Sequence, residues 1–253
     1  MDTTTSQPSR VALVTGANRG LGHAIAAALA RPEHGLRVVI TARLLADAEA
    51  AAQRLAERGL NVAPLQLDVT DTASTARLFA DVETVYGRLD VMVANSAVAI
   101  DRRRPPSLSD MDTVRATLDT NLVGAWRCCV HALALMRQHH YGRITAVSSH
   151  LGSISLAESS SSAAYRVSKA GLNQLTRILA AEIQEANAGK GPGEPRDDIL
   201  INAASPGTVD TRMGPAQPSY TPEQAAESLL WLSLLDADGP SGGFYFGREP
   251  LPW

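Results

Sequence analysis

Lysine is nearly absent from this chain: of 253 residues only Lys169 and Lys190 carry an ammonium group, and arginine supplies the other 21 of its 23 basic side chains. Cysteine is as scarce. The two present, Cys128 and Cys129, are adjacent, which forbids a structural bridge between them and offers no metal-ligand spacing, so no metal site is expected and both thiols read as core or interface residues. No apolar run reaches the ~18 residues of a membrane span. The opening string, MDTTTSQPSR, lacks the basic start and apolar core of a signal peptide, so a soluble, cytoplasmic protein is expected. Positive charge is not in excess either. A net charge of -3 provides no broad field to hold nucleic acid or an anionic membrane, which leaves a small molecule as the expected partner.

What the chain does have is an alternation of short β-rich apolar runs with longer helical ones, and 45% apolar residues to fill a core. Such alternation predicts a single α/β domain over residues 10–253, behind a polar tail at 1–9, with a doubly wound, seven-stranded parallel sheet of the Rossmann type. The predicted strands cover 11–15, 37–41, 62–68, 89–95, 143–149, 199–205 and 243–246. Runs such as VALV, VVI and VMVA are apolar throughout, as strands covered by helices on both faces require. Segments 46–58 and 172–185 carry apolar residues at helical spacing, and Thr221, Pro222 and Gln224 form a capped helix start. Three stretches, from Asp101, Ser153 and Ala186, read as surface loops. Within the first, the arginines at 102–104 are flanked by Asp101, Asp110 and Asp112, so a solvated loop is expected; His139 and His140 are likewise expected to face solvent.

Two groups of residues carry chemistry. The first predicted strand runs through Gly16, Gly20 and Gly22 into a helix, a turn that lets the backbone approach a pyrophosphate while the helix N-terminus offers unpaired N–H groups to it. About twenty residues past the last glycine, where an acid would bond the ribose of NAD, stand Ala42 and Arg43. With Arg19 beside Gly20, two guanidinium groups are available for a 2'-phosphate, so NADPH is expected and NAD is disfavoured. The second group is Tyr165 and Lys169 in YRVSK, four apart and hence on one helix face. A phenol titrates near pKa ~10. Making it a proton donor near neutrality takes ~4 kcal/mol, which one cation at ~4 Å in an effective dielectric near ~20 supplies.

Together these segments resemble the short-chain dehydrogenase/reductase family over nearly the whole chain. TGANRGLG at 15–22 is similar to the family's TGxxxGxG, and by that likeness Asn18 and Leu21 join the glycines and Arg19 as cofactor-binding positions. LDVTD resembles the adenine-pocket segment, with Asp68 and Val69 at the binding positions, and ANSA places Asn95 in the segment after the fourth strand. TNLVG contains Asn121, VSS contains Ser149, and SPGTVDT resembles the segment that holds the nicotinamide, here Pro206, Gly207, Val209 and Thr211. The strings GANRGLG, ITAR and SPGTVDTRMG are most similar to the NADPH-dependent carbonyl reductases. The resemblance implies reduction of a ketone or aldehyde, or the reverse oxidation of an alcohol. Tyr165 would donate the proton, Ser149 would orient the oxygen, Lys169 would acidify the phenol and hold the ribose, and Asn121 would anchor a water. An NADPH-binding regulator or scaffold without turnover is the alternative, although its usual mark, loss of the Tyr or Lys, is missing here.

Two departures from the family pattern stand out. Ala97 occupies a position where the family carries glycine, and the interval from Ser149 to Tyr165 is about three residues longer than usual, which leaves Ser148, Ser153 and Ser155 as alternative hydroxyls. The extra residues fall in a serine-rich stretch expected to line the substrate mouth, opposite a short lid, MGPAQPSY. Monomeric carbonyl reductases carry a long insertion before the catalytic Tyr. Its near absence here predicts a homodimer or homotetramer built on helices around 118–136 and 165–185.

Overall fold

The computed structural model describes residues 9–101, 105–213 and 217–253. The arginine run at 102–104, the tail before Ser9 and the middle of the predicted lid lie outside them.

Seven of the eight strands are parallel: β1 (Val11–Val14), β2 (Arg37–Ala42), β3 (Val62–Gln66), β4 (Val91–Ala94), β5 (Tyr141–Val147), β6 (Asp198–Ser205) and β7 (Phe244–Phe246), in the order β3-β2-β1-β4-β5-β6-β7-β8. All seven expected strands are present. The eighth, β8 (Glu249–Pro250), corrects the expectation of a seven-stranded, wholly parallel sheet, because it pairs antiparallel with β7. Its hairpin turns on Gly247 at φ +58°, the positive φ that a two-residue turn needs at its first position. Two residues ending in proline carry no alternation, so nothing in the sequence marks them as a strand.

Strand periodicity sends alternate side chains to opposite faces. Val11 and Leu13 join Met92, Ile144 and Ile201 under α3 (Thr72–Tyr86), α5 (Gly124–Gln138) and α6 (Ala163–Ala188), whereas Ala12 and Val14 join Ile40 and Val93 under α1 (Gly20–Leu29), α2 (Leu45–Ala56) and α7 (Pro222–Ser233). Every strand of the sheet's centre is therefore covered on both sides, which is why VALV reads as unbroken apolar sequence. Cys128 and Cys129 lie in the first of these cores. Burial pushes both thiols up, Cys128 to about 12, so they act as small apolar side chains rather than reactive ones.

Capping explains several helix starts. Thr221 and Gln224 form the expected reciprocal capping box on α7. Asp110, read from sequence as a charge flanking the arginines, instead accepts the Thr113 N–H at 3.1 Å and caps α4 (Met111–Leu118). Asp101, from the same loop, is buried and caps a helix far away in sequence. Its carboxylate accepts the N–H of Ala164 at 2.6 Å and of Tyr165 at 3.4 Å. That is the first turn of α6, whose own flanking residue, Ser162, supplies no side-chain bond.

At the N-terminal edge of the sheet the polar contacts are structural. His139 and His140 are exposed as expected, although each is held, the first to the Gly87 carbonyl and the second to Asp197 at 2.6 Å. Buried Arg143 bonds the carbonyls of Leu235 and Asp198 and tucks over the Tyr141 ring. The opposite edge is left for chemistry. Strand order reverses at β1, between β2 and β4, and in doubly wound sheets ligands bind in the crevice beyond the carboxyl ends of the strands at such a point.

Candidate active site

The crevice is built first by Thr15, where β1 ends. Its hydroxyl accepts the N–H groups of Asn95 and Ser96, both at 3.0 Å, and the Asn95 amide returns bonds to the carbonyls of Thr15 and Gly16 at 2.9 and 3.0 Å. The ends of β1 and β4 are thereby clamped together. A Cβ at Gly22 would lie 2.4 Å from the Asn95 amide nitrogen and 2.5 Å from the Gly16 carbonyl, so only glycine lets α1 start this close to the clamp. Arg19, at the head of α1, forms no side-chain cap. An N-terminus left open in this way, reached by a glycine-rich turn, fits a pyrophosphate. Arg19 and Arg43 are both exposed beside it, Asn18 offers its carbonyl to Arg54 at 2.8 Å, and Leu21 packs against the core behind.

Asp68 and Val69 lie just past β3, on one flank of this cradle. The Asp68 carboxylate accepts both the N–H and the hydroxyl of Thr70, at 2.9 and 2.7 Å. Burial alone would raise its pKa, but the Thr70 bonds and the guanidinium groups of Arg43 and Arg127 outweigh burial and hold it below the usual carboxylate range. The Val69 carbonyl accepts from Arg127. On the opposite flank, Pro206 and Gly207 follow β6 directly, and a Cβ on Gly20 would come within 3.3 Å of the Thr211 methyl. The 206–211 segment thus overhangs the cradle. Val209 bridges to Tyr220, and the Asp210 N–H donates to the Tyr220 carbonyl at 2.9 Å, so Tyr220 is tied to the 206–211 segment.

Lys169 is the most enclosed charged group of the site, 2% exposed, and burial pushes its ammonium down to about 8. Its Nζ donates to the Val147 carbonyl at 2.7 Å and lies 5.7 Å from the centre of the Tyr165 ring. Tyr165 is half-buried. The turn beneath it is tied to Asn121: the Ser168 hydroxyl donates to the Tyr165 carbonyl at 2.7 Å and accepts from the Asn121 amide at 3.0 Å. Asn121 sits in a single wide helical turn, Asp119–Val123, between α4 and α5, and its side chain also exchanges two 2.8 Å bonds with the backbone of Val98. Turns of this kind concentrate at functional sites.

Ser149 lies two residues beyond β5, half-buried, with its hydroxyl accepting the Leu151 N–H at 3.1 Å. The other serines are committed elsewhere. Ser148 is buried against the Lys169 carbonyl, Ser153 is buried and takes the Leu156 N–H, and Ser155 donates its N–H and hydroxyl to the Trp253 carbonyl at 2.9 and 2.7 Å. Trp253 in turn stacks on Phe244, ring centres 5.7 Å apart, under the guanidinium of Arg177. The start of the serine-rich stretch is therefore hung from the far end of the chain. Ala97 is half-buried in the loop after β4. Sequence reasoning missed the roles of Asp101, Arg54, His150 and Ser205, each of which meets its partner across more than thirty residues.

A doubly wound sheet with a glycine-rich turn at its switch point defines a dinucleotide-binding type of α/β domain. The chain belongs to the short-chain dehydrogenase family: the family model described as short chain dehydrogenase matches residues 10–220. Among curated relatives, it is 34% identical to carbonyl reductase (NADPH) 1 of Sus scrofa, covering 98% of this chain and 96% of that one. It is 35% identical to carbonyl reductase (NADPH) 3 of Mus musculus, covering 98% and 100%. Among solved structures, salutaridine reductase from Papaver somniferum superposes with a TM-score of 0.77 at 27% identity, covering 93% of this chain and 99% of that one. Among the described residues no helix is long and apolar enough to cross a membrane, and no cluster of side chains could hold a metal ion.

Proposed function

We propose that this protein is an NADPH-dependent oxidoreductase that interconverts a ketone or aldehyde and the corresponding alcohol. The observation that carries the reading is the placement of Lys169 and Tyr165 on one face of α6, next to β5 and at the same edge of the sheet as the open, glycine-floored head of α1. NADPH, when bound, supplies the hydride. The chain's own residues handle the oxygen and the proton. Tyr165 donates its phenolic proton to the oxygen as negative charge develops there, and Ser149 bonds the same oxygen and orients it. Lys169 stabilises the phenolate left behind. At neutral pH its ammonium remains mainly charged, because its pKa of about 8 lies above pH 7. Asn121, held by Val98 and Ser168, fixes the turn that carries Tyr165 and anchors the water that returns a proton. The names of the two carbonyl reductases support both cofactor and reaction type. A panel of ketones and aldehydes offered with NADPH tests this directly. Consumption of NADPH upholds the reading, whereas tight NADPH binding without consumption would favour a regulator on the same fold.

Arg19 and Arg43 set the cofactor preference by gripping the 2'-phosphate. Truncating both to alanine raises the apparent KM for NADPH at least ~10-fold, since each charge-assisted bond contributes ~1.5–3 kcal/mol, and leaves that for NADH little changed. Equal use of the two cofactors by the unmodified protein contradicts this assignment.

A second copy of the chain covers the outer face of α5 and α6. Trp126 and Val130 lie one turn apart on α5, 49% and 55% exposed, and Val167 and Ile178 are as exposed on α6. Apolar residues grouped on adjoining helices mark an association surface. The alignment with the Sus scrofa relative runs over 288 residues against 253 here, so that protein has at least 35 residues without a counterpart in this chain. Light scattering should give a dimer or tetramer at micromolar concentration; a species of 26.8 kDa would refute it.

A further inference from the structure

The scheme above leaves two polar residues at the centre of the site without a role. Ser205, the last residue of β6, is buried, and its hydroxyl oxygen lies 3.1 Å from the His150 N–H, 3.3 Å from the Gly207 N–H and 2.6 Å from His150 Nδ1. A hydroxyl has one hydrogen and two lone pairs. The two backbone N–H groups donate into the lone pairs, so the single hydrogen is directed at Nδ1. That nitrogen accepts, and the neutral imidazole carries its proton on Nε2. The ring is also held sideways: it packs edge-to-face with Phe246, ring centres 4.9 Å apart, and Phe246 packs in the same manner with Tyr220, ring centres 5.9 Å apart. A Cβ at Gly207 would come within 2.9 Å of Tyr220 and 3.0 Å of Phe246, so the backbone there is pressed into the same cluster.

One hydroxyl thus ties the turn that follows Ser149, at the end of β5, to the segment that begins at Pro206, at the end of β6. We infer that His150 and Ser205 form a positioning pair that fixes the spacing between the Ser149 hydroxyl and the 206–211 segment overhanging the cradle. The inference rests on the proposed oxidoreductase reading, in which Ser149 orients the substrate oxygen and the 206–211 segment seats the nicotinamide. Neither partner need touch substrate or cofactor. An acceptor at the Nδ1 position is what the pair requires, so asparagine, whose side-chain oxygen falls close to Nδ1, should replace histidine, whereas leucine of similar volume should not.

The experiment has two arms on the full chain. Nitrogen-15 NMR of the ring nitrogens reads the tautomer without cofactor or turnover. The wild type should show His150 protonated at Nε2, and Ser205→Ala should perturb Nδ1. In steady-state kinetics, His150→Leu and Ser205→Ala should each lower kcat by about 10- to 100-fold, the cost of misplacing a reacting group by ~1 Å, with the Kd for NADPH little changed. His150→Asn should recover most of the loss, and the double variant should be no worse than either single one. Thermal unfolding of each variant separates misfolding from misplacement, and Ser205→Ala, which removes one atom, remains informative if the leucine variant unfolds. A proton on Nδ1, unchanged kcat in both single variants, or an asparagine variant as impaired as the leucine one overturns the pair. A wild type with the Nε2–H tautomer that consumes no NADPH with any carbonyl compound overturns the proposed reaction instead, and the positioning role with it.

Discussion

Replacing Tyr165 with phenylalanine lowers turnover by at least ~100-fold, the usual effect of removing a general acid, while NADPH still binds. The substitution takes away one oxygen and leaves the ring, half-buried on α6 and 5.7 Å from the Lys169 ammonium. Steady-state kcat with a ketone substrate, set beside the cofactor Kd from fluorescence titration, makes the comparison. Turnover close to that of the wild type would remove Tyr165 from the mechanism.

Exchange of Lys169 for methionine should abolish measurable turnover and weaken NADPH binding together. Methionine preserves the length and packing of the stem but lacks the charge and the bond to the Val147 carbonyl. A pure packing role for Lys169 predicts a mild effect on both readouts. Its titration adds a pH signature. The ammonium is charged below its pKa of about 8, so support for the phenolate, and with it kcat/KM for carbonyl reduction, falls as pH rises through that value. Stability runs in the opposite direction. The folded pKa of about 8 lies under the ~10.4 of an unfolded lysine, so between these values the unfolded chain binds more protons and stability climbs with pH. The Tm of the cofactor-free wild type, measured relative to Lys169→Met, should therefore rise from pH ~8 to ~10. A flat difference would mean that burial does not depress the lysine.

The parts of this molecule that follow from local rules were readable from sequence. Runs such as VALV are buried on both faces and show it in their composition, and the Thr221 capping box is complete within four residues. The turn through Gly16 and Gly22 was legible because few other residues fit where a Cβ would strike Ser96 in the one case and Asn95 in the other. Contacts between distant segments left no such mark. Asp101 caps α6 across 63 residues, and in sequence it is only one more acid beside the arginines. Ser205 and His150 meet across 55 residues, and a serine at a strand end looks like any other. The bonds of Ser148, Ser153 and Ser155 to Lys169, Leu156 and Trp253 were equally hidden, since each joins a serine to a partner that its own string does not mark.

The bond from Ser155 to the Trp253 carbonyl also bears on how this chain would be engineered. The start of the serine-rich stretch is held, at Ser155, by a group made of Trp253, Phe244 and Arg177, none of which belongs to that stretch. Mutant libraries confined to 153–162 would vary this stretch while the group that holds Ser155 stayed fixed. Arg177, which lies over the Trp253 ring outside that stretch, gives access to the anchor of Ser155 instead.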